Sequence, residues 1–265
     1  MMEIHPDEAV QNNIIGTLNT VLLAGEFEVE KFILISTDKA VNPSSIMGAT
    51  KRFAEMILQS FSEQTTMNLI TVRFGNVLAS FGSVIPEFQK QIAKRMPVTV
   101  THPEMRRFFM TIPEAIKLIL ESARMGKGNE IFVLDMGEPI KLVDIAKHLI
   151  QLSGFEPDKD IPIQFIGIRS GEKLVEELWN DGEYPQKTNH KKIFMAQRNF
   201  YLSWDEMKNH LDDLKSLVDG MRKEEIIEKL LEVVPGYKPQ PRILEKQTFI
   251  VKDKVQMEES TTYAD

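Results

Sequence analysis

The chain has 265 residues, 42% of them hydrophobic and 27% charged, and its formal net charge is −7. These values are typical of a globular protein with a sizeable core, and an acidic chain is a poor partner for a nucleic-acid backbone. The absence of cysteine excludes disulfides, thiolate metal sites and a cysteine nucleophile. No apolar run approaches the roughly 20 residues that cross a bilayer, and no signal peptide is evident. We therefore expect a cytoplasmic protein whose segment here makes no membrane contact.

The first half of the sequence predicts alternating helices and strands. Apolar residues at helical spacing predict an amphipathic helix over 12–24, and the short apolar run 31–36 predicts a strand buried on both faces. A second helix is predicted over about 45–61, with the next strand at 68–73. Strand, helix and strand in this order form a βαβ unit, which implies a parallel sheet and a right-handed crossover.

The second half of the sequence mixes the two kinds of element. Helices are predicted over 113–125, 140–152, 172–179, 204–218 and 222–233, and strands over 130–134 and 161–166. From residue 238 onward the chain is mainly polar and charged, which predicts a loose tail. The five histidines are scattered without ligand spacing, so we expect no metal site.

A glycine-rich phosphate cradle is not found in the sequence. A parallel α/β protein that binds a dinucleotide carries Gly-x-Gly-x-x-Gly after its first strand. The one Gly-x-Gly here, Gly126 to Gly128, follows a predicted helix and has Ile131 where the third glycine belongs. The chain also opens almost directly on a helix. We expect that the segment which grips the dinucleotide is missing from this chain.

Polar residues follow the first two predicted strands. The first strand leads into Thr37, Asp38 and Lys39, and the second into Arg73 to Val77. Ligands of open parallel sheets bind beyond the carboxyl ends of the strands, so these stretches should lie close together. A hydroxyl, a carboxyl and an amine side by side can supply an acid and a base if their surroundings separate the pKa values. The alternative is a polar loop in which the two charged groups pair in solvent.

Five motifs in order carry a resemblance to a known family. They are Ser36-Thr-Asp-Lys-Ala40 with Met47-Gly-Ala-Thr-Lys-Arg52, Arg73-Phe-Gly-Asn-Val77, Gly82-Ser-Val-Ile-Pro86, Arg107-Phe-Phe-Met-Thr111 and Gly167-Ile-Arg-Ser-Gly-Glu-Lys-Leu174. The set resembles the polysaccharide-biosynthesis branch of the extended short-chain dehydrogenases. These are the UDP-N-acetylglucosamine 4,6-dehydratases of capsule, O-antigen and protein-glycosylation pathways. The resemblance extends from about residue 3 to residue 235.

The resemblance implies an α/β fold with three parts. Residues 1–100 would form the C-terminal half of a Rossmann-like parallel sheet and carry the catalytic motifs. Residues 101–237 would form a smaller mixed α/β substrate lobe with closing helices, some elements of which return to the sheet. Residues 238–265 would form the loose tail. Longer relatives are anchored at the inner face of a membrane, and family members commonly assemble as homo-oligomers.

The resemblance also implies catalytic roles. Met47 stands where the superfamily has tyrosine, and a thioether offers no phenolate base. Our hypothesis is that Thr37, or a water that it positions, takes the proton of the sugar's C4 hydroxyl. Asp38 would protonate the departing C6 hydroxyl, Lys39 would take the C5 proton, and Lys51 would bond the nicotinamide ribose.

The same resemblance implies which residues bind the cofactor and which bind the substrate. Lys51, Arg73, Phe74 and Gly75 would contact NAD or NADP, with NAD slightly favoured. A UDP-sugar would be held by Asn76, Val84, Arg107, Arg169 and Glu172, since arginine suits phosphate oxygens and a carboxylate suits ribose hydroxyls. The sequence departs from the family pattern at Ser170, which is usually proline, and at Arg106, which is usually threonine.

The sequence therefore predicts a nucleotide-sugar 4,6-dehydratase, inactive as an isolated chain until its N-terminal dinucleotide-binding segment is supplied. Two alternatives stay open. One is a non-catalytic remnant that at most binds a UDP-sugar. The other is a sugar-nucleotide epimerase, although epimerases of the superfamily normally keep the tyrosine and lack the Asp38–Lys39 pair.

Overall fold

The computed structural model describes residues 1–78, 80, 82–180, 183–196 and 202–240. The predicted loose tail lies outside these residues, apart from its first three. There, the backbone N–H groups of Lys238 and Gln240 donate to the carbonyls of Pro43 and Ser44.

Eight α-helices are found in the described residues. They are α1 Pro6–Val10, α2 Gly16–Glu26, α3 Ile46–Phe61, α4 Val84–Ala93, α5 Ile112–Met125, α6 Leu142–Leu152, α7 Trp204–Asp219 and α8 Lys223–Val233. A π-helical turn joins α1 to α2, so the predicted first helix begins earlier than expected. Ser45 caps α3 by accepting a hydrogen bond from the N–H of Gly48, which fixes where this helix begins.

The strands of the described residues form one large sheet and three small ones. They are β1 Lys31–Ile35, β2 Asn68–Arg73, β3 Asn76–Val77, β4 Val98–Val100, β5 Arg106–Arg107, β6 Phe109–Met110, β7 Glu130–Leu134, β8 Ile140–Lys141, β9 Ile163–Phe165, β10 Pro185–Lys187 and β11 Ile193–Ala196. The large sheet has the order β1-β2-β7-β11-β10. Its first three strands are parallel. The sequence predicts this for β1 and β2, which form the expected βαβ unit with α3, but not for β7. The hairpin β10–β11 adds to β7 in the antiparallel sense.

The parallel strands share a register that brings their carboxyl ends to one edge. Ile35 lies opposite Val72, and Val72 lies opposite Phe132. Along β2, Leu69 faces the layer that contains α3, whereas Ile70 and Val72 face α5. Helices α1, α2, α7 and α8 cover α3, which is buried over nearly its whole length. Each large side chain buried there contributes about 1.5–3 kcal/mol.

A second, smaller core lies beyond the sheet edge. It is built from α4, α6 and the parallel pair β4–β9, with Phe88, Val98, Met105 and Ile150 fully buried. The predicted strand at 161–166 is therefore present as β9, but it pairs with β4 and not with the large sheet. This core holds α4 and β4 beside the carboxyl ends of the main strands.

The predicted helix over 172–179 is wrong. This segment is extended where it passes β5, because the carbonyl of Leu174 accepts the N–H of Arg106 at 2.8 Å and Val175 forms a bridge with the same residue. The pairing satisfies backbone groups that a helix would have satisfied internally. Helix α4 and seven strands were not predicted, namely β3, β4, β5, β6, β8, β10 and β11.

Candidate active site

The chain turns sharply where β1 ends. The N–H of Ser36 donates to Val72 O at 2.8 Å and that of Asp38 to Phe74 O at 3.1 Å, so the backbone follows β2 beyond the last strand residue. A 3₁₀ turn, Asp38–Ala40, then begins, with the Thr37 hydroxyl accepting the N–H of Lys39. This turn presents three adjacent polar side chains at the edge where ligands of parallel sheets bind.

Asp38 is 1% exposed. Its Oδ1 accepts from the hydroxyl of Thr37 at 2.9 Å and from Lys39 Nζ at 2.8 Å. Its Oδ2 is buried and has no hydrogen-bond partner in the structure. Leaving a buried acceptor unpaired costs about 1–3 kcal/mol, and such groups are concentrated at functional sites. Oδ2 is thus the oxygen of this carboxyl that receives no hydrogen bond from the part of the chain that the structure describes.

Gly75 makes room for that carboxyl. A Cβ at this position would lie 2.8 Å from Asp38 Oδ2 and 3.0 Å from Phe108 Cβ. Only glycine permits the close approach of the two strand ends. The predicted contact of Phe74 and Gly75 with a cofactor stays a prediction, and the structure assigns both residues a positioning task beside Asp38.

Lys39 joins the end of β1 to β3. Its Nζ donates to Asn76 Oδ1 at 2.9 Å as well as to Asp38 Oδ1. The N–H of Asn76 donates to Phe108 O at 3.1 Å, which fixes the amide side chain in place. The structure therefore brings the two polar stretches together, as the strand-end rule predicts.

Lys51 lies at the same end of β1. Its Nζ donates to the carbonyl of Ile35 at 2.6 Å, and burial lowers its pKa although Glu55 opposes the shift. Met47, one turn earlier on α3, is half-buried and belongs to none of the buried hydrophobic clusters among the described residues. Asp38 and Lys51 are thus on one side of the molecule.

Arg73, which the sequence analysis expected to contact the cofactor, lies instead in a buried network of ion pairs. It is 1% exposed, and its Nε and Nη2 donate to Glu55 at 2.9 and 2.7 Å while Nη1 donates to Glu183 at 2.8 Å. Burial disfavours the ionised form of Glu55. The charges and hydrogen bonds of Arg73, Arg52 and Ser36 outweigh this effect of burial, so the pKa of Glu55 is lowered to about 2. The guanidinium is held inside the protein, so the geometry does not favour a cofactor role for it.

One cavity of about 840 Å³ lies beside this cluster. The five residues predicted to bind substrate all line it: Asn76, Val84, Arg107, Arg169 and Glu172. Asn76 is at once a wall of the cavity and the acceptor for Lys39, so this one side chain connects the cavity to the acid–base cluster. The five predicted catalytic residues, Thr37, Asp38, Lys39, Met47 and Lys51, do not line the cavity themselves.

The cavity has the charges needed for an anionic ligand. Arg107 is 4% exposed, and its guanidinium donates to Arg106 O at 2.6 Å and to Glu172 Oε1 at 3.2 Å. Glu172 Oε2 also accepts the N–H of Arg169, whose guanidinium is exposed. Helix α4 begins at this wall, where the buried hydroxyl of Ser83 has no hydrogen-bond partner among the described residues. A helix N-terminus beside arginines is a suitable place for phosphate oxygens.

Glu176 is a further candidate residue of the active site, and the sequence analysis did not identify it. It is 6% exposed, and its Oε1 lies 3.7 Å from Arg107 Nε. Burial raises its pKa, the cations Lys39 and Arg107 act against that shift, and Asp38 adds to it. Nothing in the sequence separates this residue from Glu177, because only the path of the folded segment decides which of the two is buried.

Residues 1–198 match the family described as polysaccharide biosynthesis protein. The chain belongs to this family. A capsular polysaccharide biosynthesis protein of Staphylococcus aureus, CapD, is 51% identical over 229 residues, which make up 86% of this chain and 37% of that protein. The chain therefore spans little more than a third of the length of that relative.

Further comparisons link the family to enzymes of nucleotide-sugar chemistry. The X-ray structure of Pen from Bacillus thuringiensis matches with a TM-score of 0.68 and 34% identity, over 81% of this chain and 71% of that one. A protein of Rickettsia canadensis named UDP-glucose 4-epimerase is 36% identical over 179 residues, 66% of this chain and 51% of that protein. This chain and its family thus belong to the superfamily of short-chain dehydrogenase-type epimerases and dehydratases. In the part of the chain that the structure describes, no helix is long and apolar enough to span a membrane.

Proposed function

We propose that this chain carries the substrate lobe and the acid–base cluster of a nucleotide-sugar 4,6-dehydratase that acts on UDP-N-acetylglucosamine. The observation that carries the proposal is the shared position of Asn76. It lines the same cavity as the four other expected substrate residues, and its side-chain oxygen accepts Lys39 Nζ at 2.9 Å. A sugar attached to a diphosphate in that cavity would therefore meet the Asp38–Lys39 pair.

The proposed reaction removes water across C5 and C6 of the hexose. Bound NAD or NADP would supply the redox chemistry, which is the transfer of a hydride from C4 to C6. Thr37, or a water that it holds, takes the proton of the C4 hydroxyl and passes a proton to Asp38, whose Oδ1 accepts from the Thr37 hydroxyl at 2.9 Å. Lys39 Nζ takes the C5 proton while Asp38 protonates the C6 oxygen, which leaves as water. The proton that Lys39 holds then returns to C5, giving a 4-keto-6-deoxy sugar.

The residues present fit one end of the cofactor. Lys51 Nζ is placed at the carboxyl end of β1 with a lowered pKa, where it would donate to the nicotinamide ribose hydroxyls. A pyrophosphate cradle is not supplied by the motifs of this sequence. Strand β1 is an edge of the large sheet as far as the structure describes it, and Ile35 at its end is 42% exposed. We propose that a separate dinucleotide-binding segment adds to this edge.

A sugar-nucleotide epimerase is the second candidate, favoured by five relatives from Rickettsia species that carry the name UDP-glucose 4-epimerase. Epimerisation and dehydration both remove the C4 hydroxyl proton, so the thioether of Met47 does not separate the two reactions. Epimerisation at C4, however, has no use for an acid and a base that act at C6 and C5. The Asp38–Lys39 pair, in which Asp38 is buried and Lys39 is partly exposed, therefore favours dehydration.

The experiment compares three samples with UDP-N-acetylglucosamine and NAD. The first is the chain alone, the second is the chain joined to the N-terminal dinucleotide-binding segment of a relative, and the third is the joined protein with Lys39→Met. Mass spectrometry detects dehydration, which removes one water from the sugar, and chromatography detects epimerisation, because an epimer has the mass of the substrate but is separated from it on the column. We expect water loss only in the second sample.

Each other outcome has a distinct meaning. A product of unchanged mass from the joined protein would replace the dehydratase assignment with an epimerase. Binding of the nucleotide sugar without any product would favour the non-catalytic remnant. Water loss by the chain alone would contradict its predicted inactivity.

A further inference from the structure

Glu176 is the buried acid of the segment that passes β5. The backbone there is extended, so its side chains alternate in direction. Val175 and Glu177 are exposed, whereas Glu176 is 6% exposed. The dehydration chemistry proposed above does not use this carboxyl, and a buried carboxyl in an enzyme site without a role calls for an explanation.

The carboxyl lies between the cavity and the acid–base cluster. On the cavity side, Arg107 Nε is 3.7 Å from Oε1, which is too far for a hydrogen bond and close enough for a strong attraction. On the other side it feels the charges of Asp38 and Lys39, and Lys173 of its own segment adds a further positive charge. Burial raises the pKa of Glu176, the three cations lower it and Asp38 raises it, with a raised value as the result.

We propose that Glu176 takes up a proton from solvent when an anionic ligand binds at Arg107, and so passes the binding event to the Asp38–Lys39 pair. The inference rests on the proposed function, in which the cavity takes the diphosphate of a nucleotide sugar. A diphosphate at Arg107 brings negative charge beside the cation that now stabilises the Glu176 carboxylate. The ionised form of Glu176 then loses support, and protonation follows.

The consequence for the Asp38–Lys39 pair is a change in the charge beside it. Once Glu176 is neutral, one negative charge that interacts with Lys39 is removed. The surroundings of the pair therefore change only when an anionic ligand occupies the cavity. Glu176 is a positioning residue in this scheme, since it acts through Lys39 and not on the sugar.

The test counts protons during binding to the whole 265-residue chain. UDP-N-acetylglucosamine is titrated calorimetrically into the chain at about pH 7 in buffers of different ionisation enthalpy. The diphosphate of this ligand is a diester with no group that titrates near neutral pH, so any proton taken up belongs to the protein. We expect uptake of a measurable fraction of a proton per ligand, at most about one.

Two variants and one ligand make the assignment specific. Glu176→Gln should abolish the uptake, because the amide is isosteric and does not titrate. Glu177→Gln alters the exposed neighbour in the same segment and should leave the uptake unchanged. Uridine lacks the phosphates and should bind without proton uptake in any of the three proteins.

A second measurement needs no variant. In the wild-type chain labelled with ¹³C at its glutamate carboxyl groups, one buried carboxyl signal should shift toward its protonated position when UDP-N-acetylglucosamine is added. Equal proton counts in the wild type and Glu176→Gln, or carboxyl signals that do not respond, would overturn this inference and leave the nucleotide-sugar assignment intact. If UDP-N-acetylglucosamine does not bind at all, both fail together.

Discussion

Two buried carboxylates beside arginines behave in opposite ways in this protein. Glu55, below the sheet, receives Arg73 through two hydrogen bonds as well as Arg52 and Ser36, and its pKa is lowered to about 2. Glu176, beside the cavity, has Arg107 Nε at 3.7 Å, and its pKa is raised. Burial disfavours ionisation of both carboxyl groups. Their pKa values differ because Glu55 accepts several hydrogen bonds from fixed, positively charged donors, whereas the nearest arginine nitrogen of Glu176 is too far away for a hydrogen bond.

The comparison teaches where this fold is rigid and where it is prepared for a ligand. The network of Arg73, Glu55 and Glu183 pairs its charges internally and ties α3 and β2 to the segment that follows the substrate motifs. The cavity side holds a buried carboxyl oxygen without a partner on Asp38 and an arginine shared between two glutamates. The first arrangement stabilises the protein, and the second leaves charges for a ligand to complete.

The largest expected effect comes from removing the cation of the rigid network. Arg73→Met leaves Glu55 and Glu183 buried without their main partner, which should destabilise the protein by about 3–5 kcal/mol in urea unfolding. The control is Arg124→Met, which breaks an ion pair of an arginine whose side chain is 73% exposed and should cost under about 1 kcal/mol. Equal losses in the two variants would show that the buried network contributes no more than a surface pair.

Crowding Asp38 should produce the next largest effect. Gly75→Ala places a Cβ 2.8 Å from Asp38 Oδ2, so the strand ends must separate, at a cost of about 1–3 kcal/mol. In the joined enzyme, water loss should fall more than nucleotide-sugar binding. The matched change Gly16→Ala is helical and meets its nearest atom at 3.6 Å, so it should be neutral or stabilising. Unchanged turnover in Gly75→Ala would mean that the tight approach is not needed.

The two carboxylates should bend the pH dependence of stability in opposite directions. Glu55 has a lowered pKa, so its stabilisation is complete above its ordinary value of 4.5 and is lost as the pH falls toward about 2. Glu176 has a raised pKa, so the folded state binds its proton more tightly and stability falls as the pH rises above 4.5. Urea midpoints measured from about pH 3 to pH 8 should lose the second slope in Glu176→Gln. If the urea midpoint of Glu176→Gln still falls as the pH rises above 4.5, a group other than Glu176 causes that fall.

The smallest expected effect on stability is at Thr37. Thr37→Val removes a hydrogen bond to Asp38 and the cap of the 3₁₀ turn, which should cost about 1 kcal/mol. Turnover of the joined enzyme should fall much further if this hydroxyl handles the C4 proton. Thr20→Val, which removes an exposed bond to a helix carbonyl, is the control. Intact turnover in Thr37→Val would assign the C4 proton to another group.

Local sequence patterns predicted the parallel part of the fold well. The apolar run 31–36 and the β-branched run 68–73 became β1 and β2, and the helix predicted over about 45–61 is α3. The signal for α4 was also present, since Val84, Phe88 and Ile92 repeat every four residues. The helix was not predicted, although Ser83 before it is a residue type that favours the start of a helix. Segment 172–179 was misjudged because its pairing partner, Arg106, is far away in the sequence.

The sequence by itself determined which residue types stand at the strand ends and in what order, because motif spacing and the strand-end rule depend only on neighbours along the chain. Only the tertiary structure decided which charges meet. It paired Arg73 with Glu55 below the sheet, buried Glu176 instead of Glu177, and set Asn76 between the cavity and Lys39. Burial and the distance between charges arise from contacts across the whole fold, and these set the pKa of each group.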